Sequence, residues 1–85
     1  MKRIIDDTEP EGLLKLIGER VTFYCLNYIW TGDLVGVNDT CVLLKNPAIV
    51  YETGPYTEKT WKDAQSLPQD FYLMLSAIEG FGKLK

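Results

Sequence analysis

Chemically reactive residues are few in this sequence, and their spacing matches no catalytic or metal-binding motif. Histidine, the commonest general base and metal ligand in proteins, is absent. The two cysteines, Cys25 and Cys41, are too far apart for the close pairing typical of a zinc site. The acidic residues are scattered, and neither a nucleophile elbow nor a phosphate-binding glycine loop occurs. We therefore predict a protein that is not an enzyme and has no metal or cofactor.

The composition limits the partners of the chain. Its 85 residues fit one domain spanning 1–85, and 46% of them are apolar, enough for a hydrophobic core. A net charge of −3 argues against a surface that attracts nucleic acid everywhere. It is compatible with a local basic patch at a binding site. Because no signal peptide or long apolar run is present, we predict no membrane contact and a cytoplasmic location. Cys25 and Cys41 each lie within an apolar strand pattern, and we predict that they are reduced thiols in this compartment.

The N-terminal part of the sequence predicts a tail and a short helix. Residues 1–7 form the tail, and residues 8–18 form the helix. Thr8 and Glu11 have the spacing of a capping box, and Gly18 is a typical C-terminal stop. The acidic residues around the start of the helix fit its dipole better than they fit a metal site.

After the helix the apolar period changes to two, which predicts β-strands. The second strand carries Gly32 and Gly36 on one face, where they permit a sharp bend or a close neighbour. The polar turn 38–40 leads into a third strand over 41–52. Pro47 interrupts this strand and marks a bulge, an edge or a weak point.

Residues 53–70 predict a long variable loop between strands three and four. The segment is polar, contains two prolines and a glycine, and has the composition for one helical turn around Trp61. A loop this long in so short a domain is often functional or mobile. Tyr56 and Trp61 are then candidate contacts with a protein partner. The alternative is that both aromatic side chains fill a gap against their own subunit.

The last two strands, at 71–76 and 77–83, begin with a run that has no charge from 71 to 77. An uncharged strand at a sheet edge pairs readily with another chain and aggregates unless it is covered. We predict that another copy of the same protein covers it. The residues predicted to form this oligomer interface are Phe71, Tyr72, Leu73, Met74, Leu75, Ile78 and Phe81.

One helix followed by five strands, with a strongly bent second strand, resembles the Sm-like (LSm and Hfq-like) family. Gly32, Leu34 and Gly36 match the first motif of the family, and Leu43 matches its apolar residue in strand three. The upstream LIGERVTFY resembles the family's entry into strand one, and SAIEGFGKL resembles its second motif in the Hfq-like form. The resemblance implies a mainly β Sm-like fold, in which a short N-terminal α-helix precedes a five-stranded antiparallel sheet bent into a small open barrel.

The resemblance also implies a homo-oligomeric ring and an RNA ligand. Sm-like rings contain about six or seven subunits, and strand four of one subunit pairs with strand five of the next. Single-stranded RNA is the partner that the resemblance implies. The positions that it implies for RNA contact are Asn38, Asp39, Thr40 and Ser76, with Lys45, Lys59, Lys62 and Lys83 as candidate phosphate contacts.

The uridine pocket of the family is altered in this chain. Thr40 stands where the family places a base-stacking His or Tyr, and Val42 stands where it places a uridine-binding asparagine. Asn38 replaces the turn aspartate, while Leu75 and Ser76 replace the Lys-His pair of the Hfq-like members. Stacking on a planar side chain contributes about 1–3 kcal/mol per base, so the altered residues predict weak uridine recognition. We expect an RNA-binding ring with an altered pocket or, alternatively, a structural or protein-interaction ring without nucleic acid.

Overall fold

The computed structural model describes residue 5 and residues 11–85, and this part of the chain is mainly β. The elements in chain order are α1 (Gly12–Lys15), β1 (Arg20–Cys25), β2 (Ile29–Val37), β3 (Cys41–Glu52), β4 (Asp63–Ser66), β5 (Phe71–Met74), a 3₁₀ helix (Leu75–Ala77) and β6 (Ile78–Gly82). This confirms the predicted mainly β class with one short helix. Within the described residues, no helix has the length and apolar character needed to cross a membrane.

The six strands form one antiparallel sheet, which is not closed. The strand order is β4-β3-β2-β1-β6, and β5 also pairs with β3. β5 lies along the first part of β3, and β4 lies along its second part. The two short strands thus follow β3 as one return strand that is broken between them, at residues 67–70. β5 and β6, which the 3₁₀ helix connects, lie at opposite sides of the sheet.

The break in the return strand faces a bulge in β3. Asn46 and Pro47 together lie opposite the single residue Gly32, because Thr31 pairs with Ala48 while Asp33 pairs with Lys45. Asn46 has a φ of 50°, in the left-handed region that asparagine tolerates better than most residues. A bulge was one of the three predicted interpretations of Pro47, and the structure confirms it.

A polar network fixes this bulge to the neighbouring strands. Asn46 Nδ2 donates to Asp33 Oδ2 over 2.9 Å, and Arg20 Nη1 donates to the Asn46 carbonyl oxygen over 2.7 Å. Arg20 Nη1 also lies 3.3 Å from Asp33 Oδ1. The hydrogen bond from Asn46 lowers the pKa of Asp33, partial burial opposes this, and Arg20 lowers it further. The network joins β1, β2 and β3 at one point of the sheet.

The core is formed by the inward side chains of four strands. Its main cluster consists of Val21, Phe23, Leu34, Val42, Leu44 and Leu73, with Leu13 and Leu16 packed against it. α1 ends at Lys15 with Leu16 as its C-cap, and the turn that follows reaches Gly18, whose φ of 94° favours glycine and whose N–H donates to the Leu34 carbonyl oxygen. This bond holds the turn after α1 against β2, whereas the helix itself stops before the predicted position at Gly18.

Two predicted segments differ from the structure. α1 begins at Gly12 and is shorter than the predicted helix over 8–18; the predicted tail over 1–7 and the cap at Thr8 lie outside the described residues, residue 5 excepted. The segment 53–70 contains β4, and the helical turn predicted around Trp61 is wrong. All four residues of β4 are exposed, so no apolar alternation marks the strand in the sequence. It forms through main-chain pairing with β3.

Candidate functional site

The turn between β2 and β3 is organised by one side chain. Asn38 Oδ1 accepts hydrogen bonds from the Thr40 N–H over 2.8 Å, from the Cys41 N–H over 2.9 Å and from Thr40 Oγ1 over 3.1 Å. This is the arrangement of an Asx turn, in which the side chain replaces a main-chain acceptor. The oxygen of Asn38 is therefore engaged within the turn, while Asp39 and Thr40 are exposed.

The 3₁₀ helix lies directly beside this turn. The Leu75 N–H donates to the Thr40 carbonyl oxygen over 2.8 Å, which continues the pairing of β5 with β3. Ser76, the next residue, is exposed. The structure thus brings the predicted residues Asn38, Asp39 and Thr40 close to Ser76 on one end of the sheet.

The fifth predicted RNA contact, Lys45, does not belong to this group. It lies along β3 opposite Asp33 and away from the turn. Two further predicted phosphate contacts form ion pairs: Lys62 Nζ lies 3.4 Å from Glu52 Oε2, and Lys83 Nζ lies 3.4 Å from Glu19 Oε2. The turn and Ser76 therefore contribute one formal negative charge, from Asp39, and no positive charge.

A groove that the sequence did not predict lies beside the turn. It has a volume of about 200 Å³ and is lined by Gly36, Val37, Asn38, Cys41, Leu43 and Tyr72. Tyr72 reaches this position because it pairs with Leu43 across β5 and β3. Its side chain is 62% exposed, so the groove has an accessible aromatic ring at its border. The position of Tyr72 beside the turn follows from the register between β5 and β3 and cannot be read from the sequence.

The outer edges of β4, β5 and β6 have no strand partner within the described residues. On β5 the Leu75 N–H faces β3, and alternate residues of a strand face opposite edges. The N–H groups of Tyr72 and Met74 therefore point to the free edge. A groove of about 330 Å³ borders β6 and is lined by Tyr24, Glu79, Gly80, Phe81, Gly82 and Leu84.

The predicted interface residues have different environments. Phe71, Tyr72, Met74 and Phe81 are exposed, and Leu75 and Ile78 are half-buried. Leu73 is only 6% exposed and packs in the core, so its side chain is not available to a partner. Phe71 is partly covered by Trp30, whose ring stacks on it at a centroid distance of 4.6 Å. Tyr72 and Met74 are thus the most accessible apolar side chains of this edge.

The aromatic residues of the 53–62 segment contact each other and the end of the described chain. The rings of Tyr56 and Trp61 meet edge to face at 6.1 Å, and the Tyr56 hydroxyl contacts that of Tyr24. Lys85 Nζ lies over both rings. Trp61 is half-buried, whereas Tyr56 stays exposed. The two aromatics therefore pack against their own subunit without being covered by it.

The environment of the Cys25 thiol opposes its ionisation. Cys25 and Cys41 are free and half-buried. Burial raises the pKa of Cys25, and the nearby Glu79 carboxylate raises it further, so the thiol stays protonated at neutral pH. No cluster of three or more potential metal ligands occurs among the described residues.

Comparison of the chain with protein-family models, with curated proteins and with solved structures found no significant match. The resemblance to the Sm-like family therefore depends on the residues quoted above.

Proposed function

We propose that this protein is an Sm-like subunit that assembles with copies of itself into a ring and that the ring binds single-stranded RNA. The observation that supports assembly best is that β5 and β6, at opposite sides of one sheet, each have an outer edge without a strand partner in the described part of the chain. An unpaired edge offers main-chain donors and acceptors to another strand.

The two edges differ, which favours a ring over a dimer. If β5 of one copy pairs with β6 of the next, each contact is head to tail and leaves the other edge free for a further copy. Such a series closes into a ring when the rotation between neighbours permits it. A symmetric β5–β5 dimer would leave both β6 edges unpaired.

The side chains at the two edges suit such a contact. Tyr72 and Met74 are 62% and 54% exposed, and their own main-chain N–H groups point to the free edge. Across the junction, the groove along β6 is lined by Tyr24, Phe81 and Leu84 together with two glycines and Glu79, and Phe81 is exposed. Burial of these side chains adds apolar stabilisation to the main-chain hydrogen bonds.

RNA binding is proposed for the surface formed by Asp39, Thr40 and Ser76. The bond between Leu75 N and Thr40 O keeps this surface together within each subunit, and a ring would repeat it once per subunit. Hydroxyl groups of Thr40 and Ser76 suit contacts to phosphate or ribose. Asp39 repels an anionic strand, and the Asn38 oxygen is engaged within the turn and does not accept from a base, so each subunit contributes little and affinity depends on the number of subunits.

The second candidate function is a protein-interaction ring without nucleic acid. The negative charge of Asp39 at the turn and the pairing of Lys62 and Lys83 with carboxylates favour it, because phosphate recognition requires accessible positive charge.

Binding of labelled oligouridine and oligoadenine, measured by fluorescence anisotropy at about 50 and 200 mM salt, separates the two functions. The RNA-binding ring predicts saturable binding that weakens with salt, and a Thr40→Glu, Ser76→Glu double variant that binds about tenfold more weakly. A matched Ala64→Glu, Ser66→Glu variant on the exposed β4 keeps wild-type affinity. An intact ring that binds neither RNA at low salt contradicts RNA binding and supports the interaction ring.

A further inference from the structure

The segment 53–62 surrounds a single ammonium group with oxygen atoms. Lys85 Nζ donates to three main-chain carbonyl oxygens, those of Thr53 at 2.6 Å, Pro55 at 3.0 Å and Thr60 at 2.9 Å. A protonated lysine has three N–H donors and no acceptor, so these carbonyls match its full hydrogen-bonding capacity.

Two aromatic rings complete the site. Lys85 Nζ lies 4.7 Å from the centroid of Trp61 and 5.5 Å from that of Tyr56. Both distances are within the range of a cation–π interaction, which is strongest over tryptophan. The site therefore combines the two kinds of group that stabilise an ammonium ion without opposing charge. We refer to Thr53, Pro55, Tyr56, Thr60 and Trp61 as the ammonium cage.

The cage is shaped by bonds within its own segment. Thr53 also accepts from the Lys62 N–H at 3.4 Å, and the Glu58 N–H donates to the Pro55 carbonyl oxygen at 3.1 Å. Gly54 has a φ of 67°, which brings its two neighbours into this curve. The Tyr24 hydroxyl contacts that of Tyr56 and connects the cage to β1. These bonds involve neither Lys85 nor a second chain.

We propose that the ammonium cage is a binding site for the unmodified side chain of a lysine, that Lys85 occupies it within the chain, and that a lysine of a protein partner replaces Lys85. The exposed side of Tyr56 leaves the cage open to solvent, so the ligand exchanges without unfolding of the sheet. The proposal depends on contacts within one subunit and is independent of the ring and of RNA.

The geometry predicts which ammonium groups the cage accepts. Three converging carbonyl oxygens require three N–H donors on one nitrogen, so trimethylation removes every hydrogen bond while the charge remains. Acetylation removes the charge and two of the donors. A cage of aromatic rings alone would accept a quaternary ammonium. This cage is therefore selective for the primary ammonium.

Replacement of Lys85 by alanine opens the cage for a direct test. The probe is Nα-acetyl-lysine methylamide, titrated into ¹⁵N-labelled protein, and the readout is the indole N–H signal of Trp61, with the Trp30 indole as internal reference. We expect saturable shifts in Lys85→Ala, with the trimethyl-lysine analogue binding at least about tenfold more weakly. In the wild-type protein and in the control Lys83→Ala, Lys85 is present and competes with the probe at a high effective concentration. Both should bind the unmodified probe at least about tenfold more weakly than Lys85→Ala does.

A second measurement on the unaltered chain tests the cage without any substitution. Limited labelling with acetic anhydride, followed by peptide mass spectrometry, compares the lysines of one sample. We expect Lys85 to react about tenfold more slowly than Lys59, because its nitrogen is held by three acceptors. Labelling of Lys85 as fast as Lys59 overturns the cage. The absence of saturable probe binding in Lys85→Ala, or equal binding of the trimethyl analogue, overturns the proposed ligand.

Discussion

Gly32 of β2 lies directly against the side chain of Leu44 on β3. A Cβ atom at Gly32 would stand 2.9 Å from Leu44 Cβ, closer than two carbon atoms can approach. Leu44 is fully buried in the core and cannot move away without disturbing its neighbours. The second glycine of the strand, Gly36, has no such neighbour, since its nearest atom would be Leu43 Cβ at 3.8 Å. The predicted close neighbour is thus found at Gly32 and not at Gly36.

Gly32→Ala should therefore lower the free energy of unfolding by about 1–3 kcal/mol, the usual cost of overpacking a core. Gly36→Ala is the matched control and should leave stability unchanged or slightly higher, because alanine restricts the unfolded chain. Urea unfolding of both variants measures the difference. Equal stability of the two variants would show that β2 and β3 are farther apart than described.

Thr31 predicts a stabilising substitution. Its side chain is buried, and Oγ1 is without a hydrogen-bond partner in the described part of the chain. Thr31→Val keeps the shape and removes the buried hydroxyl, so unfolding should require about 1 kcal/mol more. Thr31→Ser keeps the hydroxyl and loses a methyl group, and it should be less stable than the wild type. If Thr31→Val is no more stable than Thr31→Ser, the conclusion that the Thr31 hydroxyl is buried without a partner is wrong.

The network of Arg20, Asp33 and Asn46 predicts a contribution to stability that depends on pH. Because the pKa of Asp33 is lower in the folded state, its stabilisation is present above the unfolded pKa of about 4 and is lost as the pH falls through the folded value. The carboxylate is partly exposed, so the contribution is modest. Asn46→Gly keeps the left-handed backbone and removes the main donor, and NMR titration should show the Asp33 pKa moving up. An unchanged titration of Asp33 in Asn46→Gly would contradict this assignment.

The sequence predicts well those features that depend on near neighbours along the chain. Alternating apolar residues locate β1, β2 and β3, and Gly18 adopts the left-handed backbone that a glycine permits in the turn after α1. The strand β4 is missed because its four exposed residues carry no pattern, and its position follows from pairing with distant residues of β3. Leu73 shows the same limit in another form. The uncharged run predicts Leu73 as an interface residue, but strand alternation directs its side chain into the core.

In the candidate sites, too, the sequence predicts the local features and misses the contacts between distant segments. The turn at Asn38 and its exposed neighbours can be anticipated from turn chemistry, whereas their contact with the segment around Ser76 requires the pairing of β3 with β5. The ammonium cage depends on Lys85, which is separated by 25 to 32 residues from the carbonyl oxygens it contacts. Main-chain carbonyl oxygens are present at every residue, so the sequence does not show which of them form a site. Tyr56 and Trp61 are therefore the only cage residues that the sequence analysis names.

A charge on the free edge of β5 should prevent assembly. Met74→Lys places an ammonium group beside an N–H that points outward, and a lysine on an edge strand opposes pairing with another strand. The side chain is 54% exposed, so the subunit should stay folded by circular dichroism. Leu14→Lys is the control. It also replaces an exposed apolar side chain by lysine, but on α1, and it should assemble as the wild type does. Wild-type mass for Met74→Lys would exclude β5 from the interface.

The absolute mass of the wild-type protein in solution tests the central claim most directly. Light scattering after size exclusion, on protein washed free of nucleic acid at high salt, should give about six or seven times the subunit mass of 9.7 kDa. That result supports a closed ring formed through the edges of β5 and β6. A single species of 9.7 kDa at all concentrations would contradict the ring.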